Sequence, residues 1–431
     1  MANVVTKNKG HYRGLALVAV LWVVVLLTAI VTVVGKTVRL DSYISQSTAQ
    51  EVCGRWAMRA GVEKAIALLN DDTKASDCLT DLWSENSEDC NNIILDECIL
   101  DIKITDETAK LNVNTATKEQ LMRLPYMSRD IADAIIDWRD ENEEPEQDGA
   151  EGGYYLNLDP GYNIRNGPFR TLKELLLVRG VTEELFYGED TNFNGKLDRN
   201  ECDGDEKAPI DNEDDVLDKG WVEYLTCYSY DKNEDSQGQE RININSADEK
   251  ELTESLGISK PHAKWIVENR KENYNSIADL INKDSKKEND KKEAKDEDDS
   301  DKVEAEPLDM ETFSGIADKI AVKGDERIAG RININTASSR ILTVLLEGNG
   351  ELAENIIAYR EGSSEMENIA DLLNVKGMEV ETFKTIAEYV TTRSNVFTVK
   401  CEARSAIVKA MYQKTAVVDR GEAPGTILYW Y

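Results

Sequence analysis

The first pattern along the chain is an uncharged apolar run from Leu15 to Gly35, LALVAVLWVVVLLTAIVTVVG. As a helix, this run would be roughly 30 Å long, which matches the hydrocarbon core of a bilayer. It is longer than the apolar part of a usual signal peptide, and no A-x-A cleavage site follows it. Basic residues precede the run, so the positive-inside rule predicts a cytoplasmic N-terminus and an exported remainder. The run therefore predicts one membrane-crossing helix.

Beyond the membrane, helical periodicity continues to about Leu69, and alternating segments follow it. Leu100, Ile102 and Ile104 alternate with charged residues, as expected for a strand with one buried face. The chain from Asn395 to its end has the same character, with turn residues between short apolar runs. These terminal strands predict an α+β fold in which a long N-terminal helix packs on an antiparallel sheet.

An internal repeat lies between the two groups of strands, with copies that start KLNVNT at Lys110, RININS at Arg241 and RININT at Arg331. Each copy continues with a leucine-bearing helix, a turn, a second helix that ends near an arginine, and the start of a third helix. We expect the following residues to cap the first helix of each copy: Thr115, Ser246 and Thr336. The middle of the chain is thus predicted to hold three related helical units.

The first copy contains a twelve-residue segment, DTNFNGKLDRNE, that fits the calcium loop of helix–loop–helix proteins. Its glycine falls where such a loop turns sharply, and its ligand positions can all offer oxygen. The predicted ligands are Asp190, Asn192, Asn194, the backbone carbonyl of Lys196, Asp198 and Glu201. The alternative is a solvated acidic loop with chance spacing. An echo from Asp211, DNEDDVLD, lacks the turn glycine.

The second copy contains an insertion of mixed charge at residues 283–302, which predicts a disordered loop. The 431 residues carry a formal net charge of −32, which argues against nucleic acid as the main partner. The seven cysteines form no CxxC pair, and their disulfide pairing stays open, although Cys78, Cys90 and Cys98 are close in sequence. Only two histidines occur, and neither has the setting of a catalytic base, so we predict no enzymatic activity.

The helical units also allow a different function, because an NxNTA start followed by two short helices is similar to the helix-hairpin-helix of DNA-uptake receptors. Such hairpins present backbone N–H groups to phosphate through a glycine-rich turn. Here the hairpins read LPYMSRD, LGISKPH and LEGNGEL, and the first two lack G-x-G. Acidic residues surround all three units, so packing is favoured over DNA binding.

The chain resembles the K-type minor pseudopilins of type II secretion, known as general secretion pathway protein K. The resemblance spans nearly the whole length and rests on RGLALVAVLWVVVLL at Arg13, RWAMRAGVEKAIALL at Arg55 and NGPFRTLKELLLVRGV at Asn166. Its most specific segment is IIDWRDENEEPEQDGAEGGYY from Ile135 to Tyr155. General helical packing would not require that order of residues.

The resemblance implies a pilin-like fold with a large inserted all-α domain of helix-hairpin-helix or SAM-like units. It implies cleavage by prepilin peptidase after Gly14, which leaves Leu15 as the mature N-terminus. Most pilin-like subunits have a glutamate at the fifth mature position, and this chain has Ala19 there, as the K type does. A subunit without that carboxylate, and with a bulky insertion, is expected at the tip of a pseudopilus.

The resemblance further implies calcium in the helical domain, partners among the other minor pseudopilins and the inner-membrane secretion platform, and contact with exported cargo. The predicted location is the inner membrane, single-pass, with the bulk in the periplasm. The alternatives are a membrane-anchored DNA receptor and a minor pilin of another pilus-like machine. The predicted domains are a leader 1–14, an assembly helix 15–70, strands within 71–114, a helical domain 115–394 and strands within 395–431.

Overall fold

The computed structural model describes residues 11–72, 75–190, 197–202, 204, 215–270, 273–281, 304–362, 365–405, 407, 410–422 and 424–430. The predicted disordered loop 283–302 lies outside these residues. The chain divides into two compact units. One comprises Met1–Glu63, Glu88–Ile102 and Cys401–Lys414, and the other comprises Lys64–Ser87, Lys103–Lys400 and Thr415–Tyr431.

The N-terminal helix extends over His11–Asp71, and its apolar side chains from Leu15 to Val34 are exposed. Within the described residues it is the one helix long and apolar enough to cross a membrane, with a mean hydropathy of 3.0 in its most apolar window. Farther along, the helix packs on strand residues. A Cβ added at Gly54 would overlap the ring of Tyr412, and one added at Gly61 would overlap the sulfur of Cys401. These glycines allow the close approach.

The largest sheet has five strands. In spatial order they are Ile93–Leu95, Cys98–Asp106, Val396–Ser405, Met411–Asp419 and Thr426–Trp430. The first two strands pair antiparallel, with Ile93 opposite Leu100, and so do the last two, with Ala416 opposite Trp430. Leu100, Ile102 and Ile104 are buried, as the alternation predicted. In sequence, the whole helical region is therefore inserted between Cys98–Asp106 and Val396–Ser405, which are neighbouring strands of one sheet.

The helical region is built from short helices. Its α-helices are Lys118–Leu121, Arg129–Arg139, Gly152–Leu156, Glu183–Tyr187, Trp221–Tyr224, Glu249–Leu256, Lys260–Glu268, Met310–Ile316, Ser339–Leu345, Gly350–Gly362 and Val380–Ile386. Its 3-10 helices include Leu172–Leu177, Arg199–Glu201, Ile277–Leu280, Ala317–Lys319, Ile369–Asn374 and Ala387–Tyr389. One more short α-helix, Ser87–Cys90, precedes the sheet.

Each helical unit is closed by a parallel pair of two-residue strands. The pairs are Leu111–Asn112 with Leu225–Thr226, Ile242–Asn243 with Ile320–Ala321, and Ile332–Asn333 with Val390–Thr391. A separate antiparallel pair joins Tyr230–Lys232 to Arg327–Ala329. Because the same short strand opens each copy of the sequence repeat, the three copies are equivalent in structure.

The second asparagine of each NxN motif fastens its unit by exchanging two hydrogen bonds with the backbone of one distant residue. Asn335 donates to the carbonyl of Met366 and accepts from its N–H, both at 3.0 Å. Asn114 forms the same pair with Phe169, and Asn245 forms it with Tyr274. The amide group thus satisfies two buried backbone groups that no helix or strand serves.

The predicted helix caps are wrong by two residues. The first helix of each unit is capped by Thr117, Asp248 and Ser338. The hydroxyl groups of Thr115, Ser246 and Thr336 contact the carbonyl oxygen three residues earlier, for example Thr115 with Asn112 at 3.4 Å. The physical reason is that the chain must turn out of the short strand before a helix can start, and these hydroxyl groups lie in that turn.

The second and third units share one buried carboxylate. Asp231 is 1% exposed, and its Oδ2 accepts hydrogen bonds from Arg241 at 2.7 Å and from Arg331 at 2.9 Å. These two arginines open the RININ motifs of the two units. Burial alone would raise the pKa of Asp231, but the two guanidinium groups, with Arg393, hold the pKa below its ordinary value. In the first unit, Lys110 stands at the motif position and pairs with Glu107 at 2.8 Å.

Candidate calcium loop, hairpins and assembly helix

The predicted calcium loop is partly described. Asn192, Asn194 and Lys196 lie outside the described residues, whereas Asp190, Asp198 and Glu201 lie inside them. Glu201 is 1% exposed, and its Oε2 accepts a hydrogen bond from the Asp198 N–H at 2.8 Å. The side chain of Asp198 in turn caps the 3-10 helix Arg199–Glu201. The last predicted ligand is therefore held inward by the loop's own backbone.

Charge accumulates at this end of the loop. Burial raises the pKa of Glu201, and repulsion from Asp198 and Asp190 raises it further. Carboxylate oxygens are the donors that calcium prefers. By donor type, Asp190, Asp198 and Glu201 fit a calcium ion, which they would hold together with the predicted ligands between them.

The loop stands on a closed base. Gly188 and Lys219 form an antiparallel bridge, and the N–H of Asp218 donates to a carboxylate oxygen of Glu189 at 2.8 Å. Gly188 has φ +69°, and a Cβ there would collide with the backbone of Gly220. Glycine is thus required on both sides of the bridge. The bridge fixes where the insertion leaves and rejoins the first helical unit.

The hairpin of the second unit shows how its basic residues are arranged. Gly257 ends one helix in the left-handed region, and the Ser259 hydroxyl caps the next by accepting from the His262 N–H at 3.4 Å. Lys264 lies 3.7 Å from Glu268. An acidic neighbour on the same helix weakens the attraction of such a lysine for phosphate.

The predicted processing and assembly residues all lie on the N-terminal helix. Gly14, Leu15 and Ala19 fall within His11–Asp71, and Leu15 is 74% exposed. Ala19 is exposed as well and presents only a methyl group. No carboxylate therefore stands at the fifth predicted mature position.

All seven cysteines lie within the described residues, and no disulfide joins them. The sulfur of Cys98 lies 2.9 Å from that of Cys53, on the N-terminal helix. Cys78 contacts Asp81 and Glu365 instead. The structure thus brings Cys98 to a cysteine distant in sequence, and not to Cys78.

Sequence reasoning missed a second group of acids in the first helical unit. Asp137, Asp140 and Glu151 come together, with one oxygen of each within 4.8 Å of the others. All three belong to the IIDWRD to GAE segment that supported the family resemblance. The spacing of the three matches no regular loop motif, so only the D-x-x-D pair at a helix end could have indicated them.

The fold and these sites define an α+β, pilin-like protein with an inserted helical domain and one apolar helix that fits a single-pass membrane anchor. Residues 105–187 match the family model described as "Type II secretion system (T2SS), protein K". Residues 237–285 and 328–391, within the second and third units, match the helix-hairpin-helix motif.

Individual proteins give the same result. The chain is 24% identical to type II secretion system protein K of Klebsiella pneumoniae over 194 residues, which is 40% of this chain and 60% of that protein. A solved structure of the GspK-GspI-GspJ complex from enterotoxigenic Escherichia coli is similar with a TM-score of 0.48 and 12% identity, over 90% of this chain and 98% of that one. The chain is thus similar to protein K of type II secretion over part of its length, and it spans 60% of the length of that curated relative.

Proposed function

We propose that the chain is a non-enzymatic minor pseudopilin at the tip of a type II secretion pseudopilus, where it initiates assembly and supports protein export. One observation carries the proposal. An apolar, exposed helix leads into a sheet, and a large helical region is inserted between neighbouring strands of that sheet. The proposed location is the inner membrane, with the N-terminus cytoplasmic and the bulk periplasmic.

The tip position follows from two features. Ala19 cannot neutralise the N-terminal amine of another subunit inside the bilayer, where an unpaired charge is costly. The inserted helical domain would obstruct the addition of a further subunit. The proposed partners are other minor pseudopilins, prepilin peptidase, the inner-membrane secretion platform and exported cargo. The Escherichia coli neighbour, which is a complex of three such proteins, supports the first of these.

Processing is the first test. The chain is co-expressed with a prepilin peptidase, and its N-terminus is sequenced. We expect a mature chain that starts at Leu15, and we expect Gly14→Val to block cleavage. Gly35→Val is the matched control, because Gly35 lies on the same helix with nothing within 4 Å of its added Cβ. An uncut Met1 in the parent would favour a permanently anchored receptor or scaffold.

The tip position has its own test. Pseudopili are overproduced with a tagged chain, and the tag is located by immunogold labelling. We expect label at filament ends only. Label along the filament length would contradict the tip position and leave the cleavage result unaffected.

We propose calcium as the cofactor of the loop at residues 190–201. Its support is the inward position of Glu201 beside Asp198 and Asp190, together with the oxygen donors at the predicted positions between them. When bound, the ion would supply a positive charge to the neighbouring carboxylates of the loop. In this proposal it has a structural role.

A membrane-anchored DNA receptor is the second candidate, because two units match the helix-hairpin-helix motif. The test is a mobility shift with the full chain in detergent and duplex DNA. A receptor would give a shift that weakens steeply with salt. We expect no shift at low salt. A minor pilin of another machine is tested by whether the chain restores export in a type II secretion strain that lacks its own protein K.

A further inference from the structure

Cys53 and Cys98 bring their sulfur atoms together, although they are 45 residues apart in the sequence. Cys53 lies on the N-terminal helix, and Cys98 is the first residue of the strand Cys98–Asp106. The Cys98 thiol donates a hydrogen bond to the sulfur of Cys53 at 2.9 Å. Cys98 is fully buried, and Cys53 is half-buried. The pair therefore lies where the helix meets the sheet, within the compact unit that contains Met1–Glu63 and Glu88–Ile102.

The helix is held on the sheet on both sides of its cysteine. Gln50 is 1% exposed, and its side chain donates to the Glu97 carboxylate and accepts from the Ser405 hydroxyl, the latter at 2.6 Å. At Gly54, an added Cβ would overlap the ring of Tyr412. The helical cysteine lies between these two contacts in the sequence. The approach of the two sulfur atoms is therefore set by the docking of the backbone and not by one side-chain rotamer.

The other cysteines near the sheet have different neighbours. The sulfur of Cys401 lies against Gly61, eight residues along the helix from Cys53, which corresponds to about 12 Å. Burial raises the pKa of the Cys401 thiol, and the nearby Cys90 adds to the increase. Cys78 contacts carboxylates instead. Cys53 is therefore the cysteine that the fold offers to Cys98.

A metal site and a stable pair of thiols are the competing interpretations. Zinc requires at least three protein ligands. Across the described ranges of the chain, the groups of three side chains close enough to hold a metal include neither sulfur. A pair of thiols persists in a reducing compartment, whereas an oxidising compartment converts it to a disulfide. The compartment therefore decides between the thiol and the disulfide form.

We propose that Cys53 and Cys98 form a disulfide that joins the N-terminal helix to the sheet. The inference rests on the proposed periplasmic location, because disulfides form and persist in that compartment. The sulfur atoms need to approach each other by less than about 1 Å from their separation of 2.9 Å, since a disulfide bond is about 2.05 Å long.

The oxidant belongs to the chemical class of disulfides, either a protein dithiol oxidase or glutathione disulfide. The more exposed Cys53 loses its proton and attacks one sulfur of the oxidant, whose S–S bond breaks and releases a thiolate. Burial raises the pKa of Cys98, and its hydrogen bond to Cys53 raises it further, so Cys98 reacts second. It loses its proton and attacks Sγ of Cys53, and the second oxidant sulfur leaves. The two cysteines lose two electrons and two protons, which the oxidant gains as two thiols.

The position of the bond suggests what it does. Cys53 lies 18 residues, or roughly 27 Å of helix, beyond Gly35, where the apolar run ends. A force that acts on the apolar segment, as when a subunit leaves the membrane, would reach the sheet through a covalent bond. Without the bond, only noncovalent contacts would hold the helix on the sheet at this point.

Peptide mapping is the test. The full chain is extracted from cells in detergent, free thiols are blocked at once with N-ethylmaleimide, and linked peptides are identified by mass spectrometry without reduction. Trypsin combined with cleavage before aspartate separates the neighbouring cysteines, because Asp77, Asp89 and Asp96 each precede a different one. We expect the peptide 41–55 linked to the peptide 96–100. A link from Cys98 to Cys78, Cys90 or Cys401 would overturn the proposal.

Failure of the disulfide and failure of the location are separated by a second step. If Cys98 carries the maleimide in the extracted chain, the purified reduced chain is treated with glutathione disulfide. Formation of the link to Cys53 then supports the pairing and contradicts the periplasmic location. Absence of the link under these conditions overturns the disulfide. The proposed location is not affected by that result, because sequencing of the N-terminus tests processing separately.

Thermal unfolding tests the effect of the bond. We expect a reductant to lower the melting temperature of the parent by roughly 5 °C or more and to leave that of Cys53→Ser unchanged. The matched control is Cys227→Ser, which changes another half-buried cysteine and should respond to reductant as the parent does. The comparison of oxidised with reduced parent needs no variant, so it holds even if Cys53→Ser folds poorly. A parent that melts equally in both conditions would contradict a disulfide that holds the helix on the sheet.

Discussion

Asp231 and Asp137 are both buried aspartates at equivalent depth in the helical region, yet their surroundings differ. Asp231, between the second and third units, accepts hydrogen bonds from two arginines, whereas Asp137, in the first unit, has one oxygen without a partner. The arginines belong to the repeat itself, because each opens an RININ motif. The first unit has Lys110 at that position, and this lysine is engaged by Glu107.

The difference shows two ways in which one repeated architecture can neutralise buried acids. In the second and third units, the protein supplies the positive charge as two arginine side chains, each of which donates one hydrogen bond to Oδ2 of Asp231. In the first unit, Asp137 lies near the end of the repeat's second helix, and one of its oxygens has no hydrogen-bond partner among the described residues. The stability of the second and third units should therefore be independent of calcium, whereas the first unit, which contains the proposed calcium loop, should gain stability from it.

The largest effect is expected from Asp231→Asn, which leaves Arg241 and Arg331 buried without their shared carboxylate. Breaking such a buried pair lowers the free energy of unfolding by about 3–5 kcal/mol. Denaturant unfolding with and without calcium measures it, and the loss should be the same in both. The matched control is Glu240→Gln, which removes the charge of an exposed acid nearby and should change the free energy of unfolding little. A loss that calcium reverses would break the comparison.

At low pH, Asp231 should lose its contribution to the free energy of unfolding. Its pKa is lower in the folded chain than in the unfolded chain. Its contribution is therefore present above the ordinary aspartate pKa of about 3.9 and is lost as the pH falls through the lower folded value. The stability gap between parent and Asp231→Asn should narrow below about pH 4. A gap that widens in acid would contradict the ion-pair reading.

The calcium loop gives the next effect. Asp190→Ala with Glu201→Ala removes two predicted ligands, so it should lower the melting temperature in calcium but not in chelator. At calcium one hundred times the dissociation constant, the parent gains about 2.7 kcal/mol that the variant lacks. Differential scanning calorimetry in both buffers measures it. Equal melting of variant and parent in calcium would count against a structural ion in the loop.

A smaller effect is expected at the asparagine that closes the third unit. Asn335→Ala leaves a buried N–H and a buried carbonyl of Met366 without partners, at about 1–3 kcal/mol. The matched change Asn245→Ala removes the same pair of bonds in the second unit, where the asparagine is only partly buried. We expect the smaller loss there in equilibrium unfolding. Equal losses would show that burial does not set the difference.

The smallest effect is expected at an exposed ion pair, which serves as a comparison for the buried pairs of Asp231. Lys219 and Glu223 form an ion pair at 2.8 Å near the base of the calcium loop, and both side chains are about half exposed. Lys219→Met should change the free energy of unfolding by about 0.5 kcal/mol or less. A double-mutant cycle with Glu223→Gln measures the coupling. A coupling energy as large as the loss at Asp231 would mean that solvent exposure does not explain the difference between the two ion pairs.

Several features could be predicted from the sequence because they depend on local order. The apolar run, the alternation at Leu100 to Ile104 and the NxN repeat each leave a periodic or repeated signal, and the fold contains all three. The pairing of Arg241 and Arg331 with Asp231 left no such signal. Those partners are 10 and 100 residues apart, and only the packing of two units brings them together.

For the candidate sites, too, the sequence revealed only what depends on local order. The calcium loop from Asp190 was predicted because its candidate ligands follow a regular spacing, and the described part shows the Asp198 N–H donating to Glu201. Calcium binding itself stays a prediction. The group formed by Asp137, Asp140 and Glu151 was missed because Glu151 joins the other two only through the folding of the loop that follows the helix Arg129–Arg139. Helix caps were misplaced because the sequence does not show how many residues a turn takes between a strand and a helix.

The order of the strands in the five-stranded sheet has a consequence for biosynthesis. The hydrogen bonds of Asn114, Asn245 and Asn335 join residues that are 55, 29 and 31 positions apart in the sequence. Each helical unit can therefore fold soon after its own residues are synthesised. The strand Cys98–Asp106 instead pairs with Val396–Ser405, which is synthesised only after the whole helical region. Until then it has an open hydrogen-bonding edge, which invites pairing with other chains. A chain that stalls before residue 396 would therefore be an aggregation hazard, even with all of its helical units folded.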